Sequence, residues 1–125
     1  MEDSAGYKGL NVYKKSYEQL MEVYRIIKAF PEEERFNVTS QLRRAATSIP
    51  LNIAEGYSKK SRSAEYCRYL MIAVGSGSEV QVLLDICKDL RYLDADVYQR
   101  MYTQYTDIRR MLYGLMKAAN GTPGT

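Results

Sequence analysis

The chain has no histidine, and only two cysteines and three prolines among its 125 residues. Each scarcity excludes something. Without histidine the commonest general base is missing, so acid–base chemistry would fall to carboxylates, lysines or tyrosines. No histidine and two distant cysteines leave no ligand set for zinc, and no cofactor is expected. On one helix, Cys67 and Cys87 would lie about 30 Å apart at roughly 1.5 Å of rise per residue, too far to pair. Two reduced, mostly buried thiols are expected. No uninterrupted apolar run approaches the eighteen or so residues that cross a bilayer. The opening "MEDSAGYKGL" lacks the basic-then-apolar pattern of a secretory signal. The expectation is a cytoplasmic protein with no membrane partner.

What remains is a helix-forming chain. Apolar residues make up 46% of the sequence, enough for one compact core. Four segments carry apolar residues at alternating spacings of three and four, the seam of helices packed near +20°. The first is Tyr13, Tyr17, Leu20, Tyr24 and Ile27. The second is Leu42, Ala46, Ile49 and Ile53. The third is Tyr66, Leu70, Ala73, Gly77, Val80, Leu84 and Cys87. The fourth is Tyr98, Met101, Tyr105, Ile108, Leu112, Leu115 and Ala119. No segment alternates as a strand would. The fold class predicted is all-α, an antiparallel up-down-up-down four-helix bundle in a single domain over 1–125. Its helices span about 10–29, 39–56, 63–92 and 95–119, with a fraying tail at 120–125.

The helix ends have recognisable chemistry. Pro31 stops the first helix, and Asn37, Thr39 or Ser40 can cap the second. Gly56 suits a left-handed end to the second helix. Ser63 can cap the third and Asp94 or Asp96 the fourth. Gly75 and Gly77 lie mid-helix at a cost of about 1 kcal/mol each relative to alanine. Their presence suggests close backbone approach, inside the bundle or at a contact with a subunit or ligand.

Pro50 lies within the second stripe. It removes the partner of the Ala46 carbonyl, so a kink or broken turn is expected. The hydroxyls of Thr47 and Ser48 are placed to satisfy a freed backbone group. Beside the apolar stripe run Gln41, Arg44, Ser48, Asn52 and Glu55, within about 80° of arc at 100° per residue. This stripe reads either as a solvated face, as a satisfied polar seam between helices or subunits anchored on Arg44, or as a ligand contact. Glu79 on the third helix is a candidate partner for Arg44. Glu55 and Glu79 as a catalytic carboxylate pair would explain the same residues less economically, so no enzymatic activity is expected.

The sequence "FPEEERFNVTSQLRRAATSIPLNIAEG", followed by "YLMIAVGSGSEV", resembles a known family. These are the four-helix-bundle proteins first noticed as products of intervening sequences in bacterial large-subunit, 23S, ribosomal RNA genes. The family pattern falls on Phe30-Pro31, Glu34, Gln41 to Ala45, Ser48 to Pro50, Asn52 to Gly56, Ala73, Gly75, Ser76 and Glu79. The likeness runs from about Val12 to Lys117. Gly77 stands where a larger residue is usual, and twelve tyrosines is a high count. The resemblance implies an antiparallel bundle and a homopentamer around a central axis. A related branch supplies the accessory variability determinant of diversity-generating retroelements, which binds a reverse transcriptase and nucleic acid through a basic surface.

The charge distribution fits a nucleic-acid role. From Arg43 to Arg68 six cations face two acids, whereas from Glu79 to Asp96 five acids face two cations. Candidate contacts to RNA or DNA are Arg43, Lys59, Lys60, Arg62 and Arg68, with Tyr57 placed to stack on a base. The alternative is a scaffold for a protein partner such as a reverse transcriptase. Tyr102 and Tyr113, which lie off the fourth seam, favour that reading.

Overall fold

A computed structural model of the chain describes residues 6–121. Four α-helices form: α1 over Asn11–Ile26, α2 over Val38–Tyr57, α3 over Ser63–Asp89 and α4 over Ala95–Ala119. Short 3-10 turns cover Gly6–Gly9, Ile27–Ala29 and Glu32–Glu34, and no strand occurs among the described residues. Of the predicted tail, residues 122–125 lie outside the described part. The helices share one core. α3 packs most extensively against α2 and α4, and α1 lies against both α2 and α4.

The seams predicted for α2 and α3 are the buried ones. Leu42, Ala46, Ile49 and Ile53 meet Leu70, Ala73, Val80, Leu84 and Cys87, all fully enclosed. In α4, Met101, Tyr105, Ile108 and Leu112 are buried, while Tyr98, Leu115 and Ala119 pack at the margin. In α1 the expected seam holds at Leu20, with Tyr13 and Ile27 partly buried against the core, but is elsewhere one position off. Val12, Ser16, Leu20 and Val23 face the core, and Tyr17 and Tyr24 remain 48% and 42% exposed. The valines fill the narrow interior without a polar tip. The tyrosines keep their hydroxyls in water by standing on the flank. Ser16 is tolerated inside because its hydroxyl donates to the Tyr13 carbonyl at 2.9 Å.

Several helix ends close differently from expectation. Asn37 precedes α2 without a side-chain cap bond, and the Val38 N–H reaches Glu34 Oε1 at 3.4 Å. Ser63 does not cap α3. Its hydroxyl donates to the Ala119 carbonyl at 3.0 Å, joining the start of α3 to the end of α4. Asp94 does cap α4, accepting from the Val97 N–H at 2.9 Å. α3 stops at Asp89 rather than 92, because Arg91 turns left-handed at φ 66° and the Tyr92 N–H closes back on the Cys87 carbonyl at 2.8 Å.

The glycines also sort themselves. Gly56 is not a left-handed terminus but a buried helical residue where α2 meets α3. A Cβ there would lie 2.9 Å from Tyr69 Cβ. Gly77 makes room for Arg109, whose Cγ would be 2.9 Å from an added Cβ. Gly75 is exposed, with nothing within 4 Å of an added Cβ. Pro50 is buried inside α2, and the helical run continues through it unbroken.

α3 is apolar enough over 18 residues, at a mean hydropathy of 1.5, to match a membrane span by length and composition, which reading uninterrupted runs had not shown. Half of that window is buried inside the fold, as a central core helix requires.

The Tyr105 ring is wholly buried and its hydroxyl has no hydrogen-bond partner among the described residues. Burial alone drives its ionisation far upward. An unpartnered buried hydroxyl forfeits about 1–3 kcal/mol of hydration. Tyr105→Phe keeps the ring and removes that cost. We expect stabilisation of about 1 kcal/mol in chemical denaturation, and an equal loss would show that the hydroxyl is bonded in solution.

Candidate nucleic-acid interface

The α2–α3 loop, residues 58–62, carries three of the five predicted cations, Lys59, Lys60 and Arg62, at one end of the molecule. Lys60 is exposed and doubly held by Tyr57. Its Nζ lies 2.8 Å from the Tyr57 hydroxyl and 4.3 Å from the ring centroid. Such a contact fixes a cation without neutralising it. Lys59 Nζ is 3.8 Å from Glu55, a surface pair too weak to withhold it from a phosphate. Arg62 is exposed, and its side chain has no hydrogen-bond or ion-pair partner among the described residues. Arg68, on the second turn of α3, bonds Glu65 at 3.1 Å and stacks over Tyr69 at 4.5 Å. Tyr57 is partly buried, edge-to-face with Tyr66 at 6.5 Å. Burial first, and the Tyr57 neighbour second, raise the Tyr66 hydroxyl above its usual range, so the Tyr66 ring stays neutral at physiological pH.

The predicted contacts do not all assemble. Arg43 lies sixteen residues before Lys59 on a helix that runs unbroken to Tyr57, so the two are separated by about 24 Å along the axis. It belongs to a different surface from the loop. The stacking role expected of Tyr57 is constrained, since Lys60 already occupies one face of the ring.

The polar stripe of α2 divides as well. Ser48 Oγ pairs with Ser76 Oγ at 2.7 Å, and Asn52 Nδ2 donates to the Ser48 carbonyl and hydroxyl at 2.8 and 3.0 Å. Arg44 Nη2 reaches Glu79 at 3.2 Å. These form a seam between α2 and α3. Arg44 and Glu79 are 66% and 40% exposed, so the pair lies at the surface edge of the seam. Gln41 instead donates to Asn37, the residue just before its own helix, at 3.1 Å, and Glu55 turns to Lys59. Neither hydroxyl beside Pro50 bonds the freed Ala46 carbonyl, since Thr47 donates to the Arg43 carbonyl at 2.7 Å.

Two features escaped the sequence reading. One is a polar node between α3 and α4. Buried Gln81 donates to the Tyr102 carbonyl at 3.0 Å and to the Thr106 hydroxyl at 2.8 Å, and it accepts from Arg109 at 3.1 Å. Its only signal was a glutamine flanked by valines in an apolar helix. The other is a cleft along α1. Tyr7, Lys8, Tyr13, Lys14, Tyr17 and Glu18 line an open space of about 640 Å³. A smaller cavity of about 180 Å³ continues it, walled by the same tyrosines and by Thr47, Pro50, Leu51 and Ala54 of α2. Assigning the tyrosines to the core hid this surface.

A family model described as 23S rRNA-intervening sequence protein matches residues 8–114. Among solved structures, a protein of unknown function from the S23 ribosomal protein family of Bacteroides thetaiotaomicron is similar. It shares 27% identity at a TM-score of 0.77, covering 85% of this chain and 98% of its own. No curated protein matches.

Proposed function

Because this chain belongs to the 23S rRNA-intervening sequence protein family, we propose that it is a non-enzymatic, RNA-binding accessory protein acting through a basic surface repeated on an oligomer. The observation that carries the reading is the α2–α3 loop, where Lys59, Lys60 and Arg62 stand together on a short turn between two packed helices. Phosphate recognition needs positive charge held in place, and repetition across subunits multiplies a modest patch. Glu55 and Glu79 are each engaged by a cation at the surface, which suits ion pairing more than acid–base chemistry.

The helices form an antiparallel up-down-up-down bundle in this proposal. Lys15, early in α1, bonds Gln104 at 2.7 Å, whereas the later Glu22 pairs with the earlier Arg100 at 3.6 Å. Advancing along α1 thus retreats along α4. The outer face of α3 presents Ile72, Gly75, Val82 and Ile86, with Val82 57% exposed. A helix apolar on every side is expected to be covered, which supports self-association. Five copies is what the family resemblance implies. Light scattering would then give about five times the 14.4 kDa chain mass.

The test is a titration of structured RNA against salt. Affinity should fall steeply, and changing Lys59, Lys60 and Arg62 to alanine should reduce the log–log slope by about 2–3. Unaltered affinity in that variant would reject the loop as a contact. If the wild type shifts no RNA while a protein co-purifies after nuclease treatment, a scaffold for a partner such as a reverse transcriptase becomes the better reading.

A further inference from the structure

The tyrosine cleft has a composition that the loop lacks. Tyr7 and Tyr13 sit edge-to-face with centroids 5.0 Å apart, and Tyr13 and Tyr17 follow at 6.1 Å with rings tilted by 37°. The three rings form a short aromatic row along the outer side of α1. Lys8 and Lys14 stand exposed on its rim, with no hydrogen bond or ion pair among the described residues. On the facing helix, Ala54, Pro50 and Thr47 line the wall at spacings of four and three, and Arg43 continues that line by one further turn. At the other end, Gly6, adjacent to Tyr7, packs on Tyr57, with an added Cβ 3.7 Å from the ring. The row therefore leads to the ring that holds Lys60.

We propose that this groove between α1 and α2 binds unpaired nucleotides of a single-stranded RNA segment. The bases stack on Tyr13 and Tyr17, and Lys8, Lys14 and Arg43 meet the phosphates. The proposal rests on the RNA-binding reading above and adds to it a place and a strandedness. Two physical arguments select this occupant. Charge is the first: Lys8 and Lys14 line the cleft against Glu18 alone, and Arg43 stands one turn beyond the α2 wall. Aromatic faces beside a positive rim suit single strands of any sequence, since every base has a π-face. The second is what the α2 wall lacks. An extended peptide needs main-chain hydrogen-bond partners. Pro50, Leu51 and Ala54 have no polar side-chain group, and the Thr47 hydroxyl is already donated to the Arg43 carbonyl. A phosphate backbone makes no such demand.

The experiment uses the full chain with a fluorescent oligouridine carrying 5-iodouridine, and a hairpin RNA of blunt duplex for comparison. Irradiation should crosslink Tyr7, Tyr13 or Tyr17, located by mass spectrometry. Tyr17→Leu should weaken oligouridine binding about ten-fold, whereas Tyr17→Phe should leave it unchanged, because stacking uses the ring and not the hydroxyl. Tyr17 is half exposed, so both variants should retain wild-type circular dichroism. Suppose the wild type binds RNA with a steep salt dependence, but crosslinks map elsewhere and Tyr17→Leu binds normally. The groove assignment is then overturned while the RNA role stands. No binding by the wild type to either RNA at low salt overturns both. A fall in assembly mass for Tyr17→Leu would show that the groove is filled by a second copy, which also overturns the assignment.

Discussion

Replacing Leu84 by alanine is expected to cost about 2–5 kcal/mol of folding stability. Leu84 is fully enclosed in the last third of α3, the helix that packs against both α2 and α4. Truncation removes buried methyl groups and leaves a cavity that rigid neighbours fill only partly. Its neighbours one turn away on the same helix, Val80 and Cys87, are short and fully buried, so neither can swing in cheaply. Against a total stability of about 5–15 kcal/mol, such a loss would be visible at once. Urea denaturation at fixed protein concentration measures it, and concentration must be held because self-association adds to apparent stability. A midpoint shift worth less than about 1 kcal/mol would mean that the core is looser than native packing density allows.

The second large effect is expected at Gly56, and its sign is instructive. Alanine is the better helix former by about 1 kcal/mol, so propensity alone predicts a gain. Sterics predict the reverse. The added methyl would lie 2.9 Å from Tyr69 Cβ, 3.3 Å from Tyr66 Cδ1 and 3.5 Å from the Tyr66 carbonyl oxygen. A Cβ and a main-chain oxygen cannot rotate aside, so α2 and α3 must separate beside the loop. Overpacking of this kind costs about 1–3 kcal/mol, and a net loss is expected despite the propensity gain. The same substitution should weaken RNA binding, since that separation displaces Lys59, Lys60 and Arg62. Gly75→Ala is the control, because nothing lies within 4 Å of its added Cβ. Equal stability changes in the two variants would refute the steric account.

The apolar seams of α2, α3 and α4 were legible because aliphatic side chains at helical spacing have one place to go. α1 was not, because tyrosine satisfies the same pattern from the flank. Val12 and Val23 were passed over in favour of larger rings that prefer a wet edge. The one-position slip hid the cleft at Tyr7, Tyr13 and Tyr17. Of the polar stripe, for which a solvated face, a seam and a ligand contact all stood open, Arg44 and Ser48 reach across to Glu79 and Ser76 of α3. Gln41, Asn52 and Glu55 bond nearby, because a partner four residues away along the chain competes with any across the gap. The cap substitutes were beyond sequence reading for a related reason. Glu34 serving Val38 and Ser63 serving Ala119 depend on how loops and distant ends come together. The segregation of charge marked the loop cations, but no spacing rule could say that Arg43 stands apart from them.

Gln81 fixes more than a local contact. Its amide is satisfied only when Tyr102 and Thr106 stand opposite, so the fourth helix has a single permitted setting along the third. A slide by one turn, about 5.4 Å, would preserve much of the greasy surface yet strand a carboxamide among hydrocarbons. An all-aliphatic interface would tolerate such slippage. Here the lone glutamine acts as a detent, ensuring that every copy of the chain offers the same outline to whatever it meets.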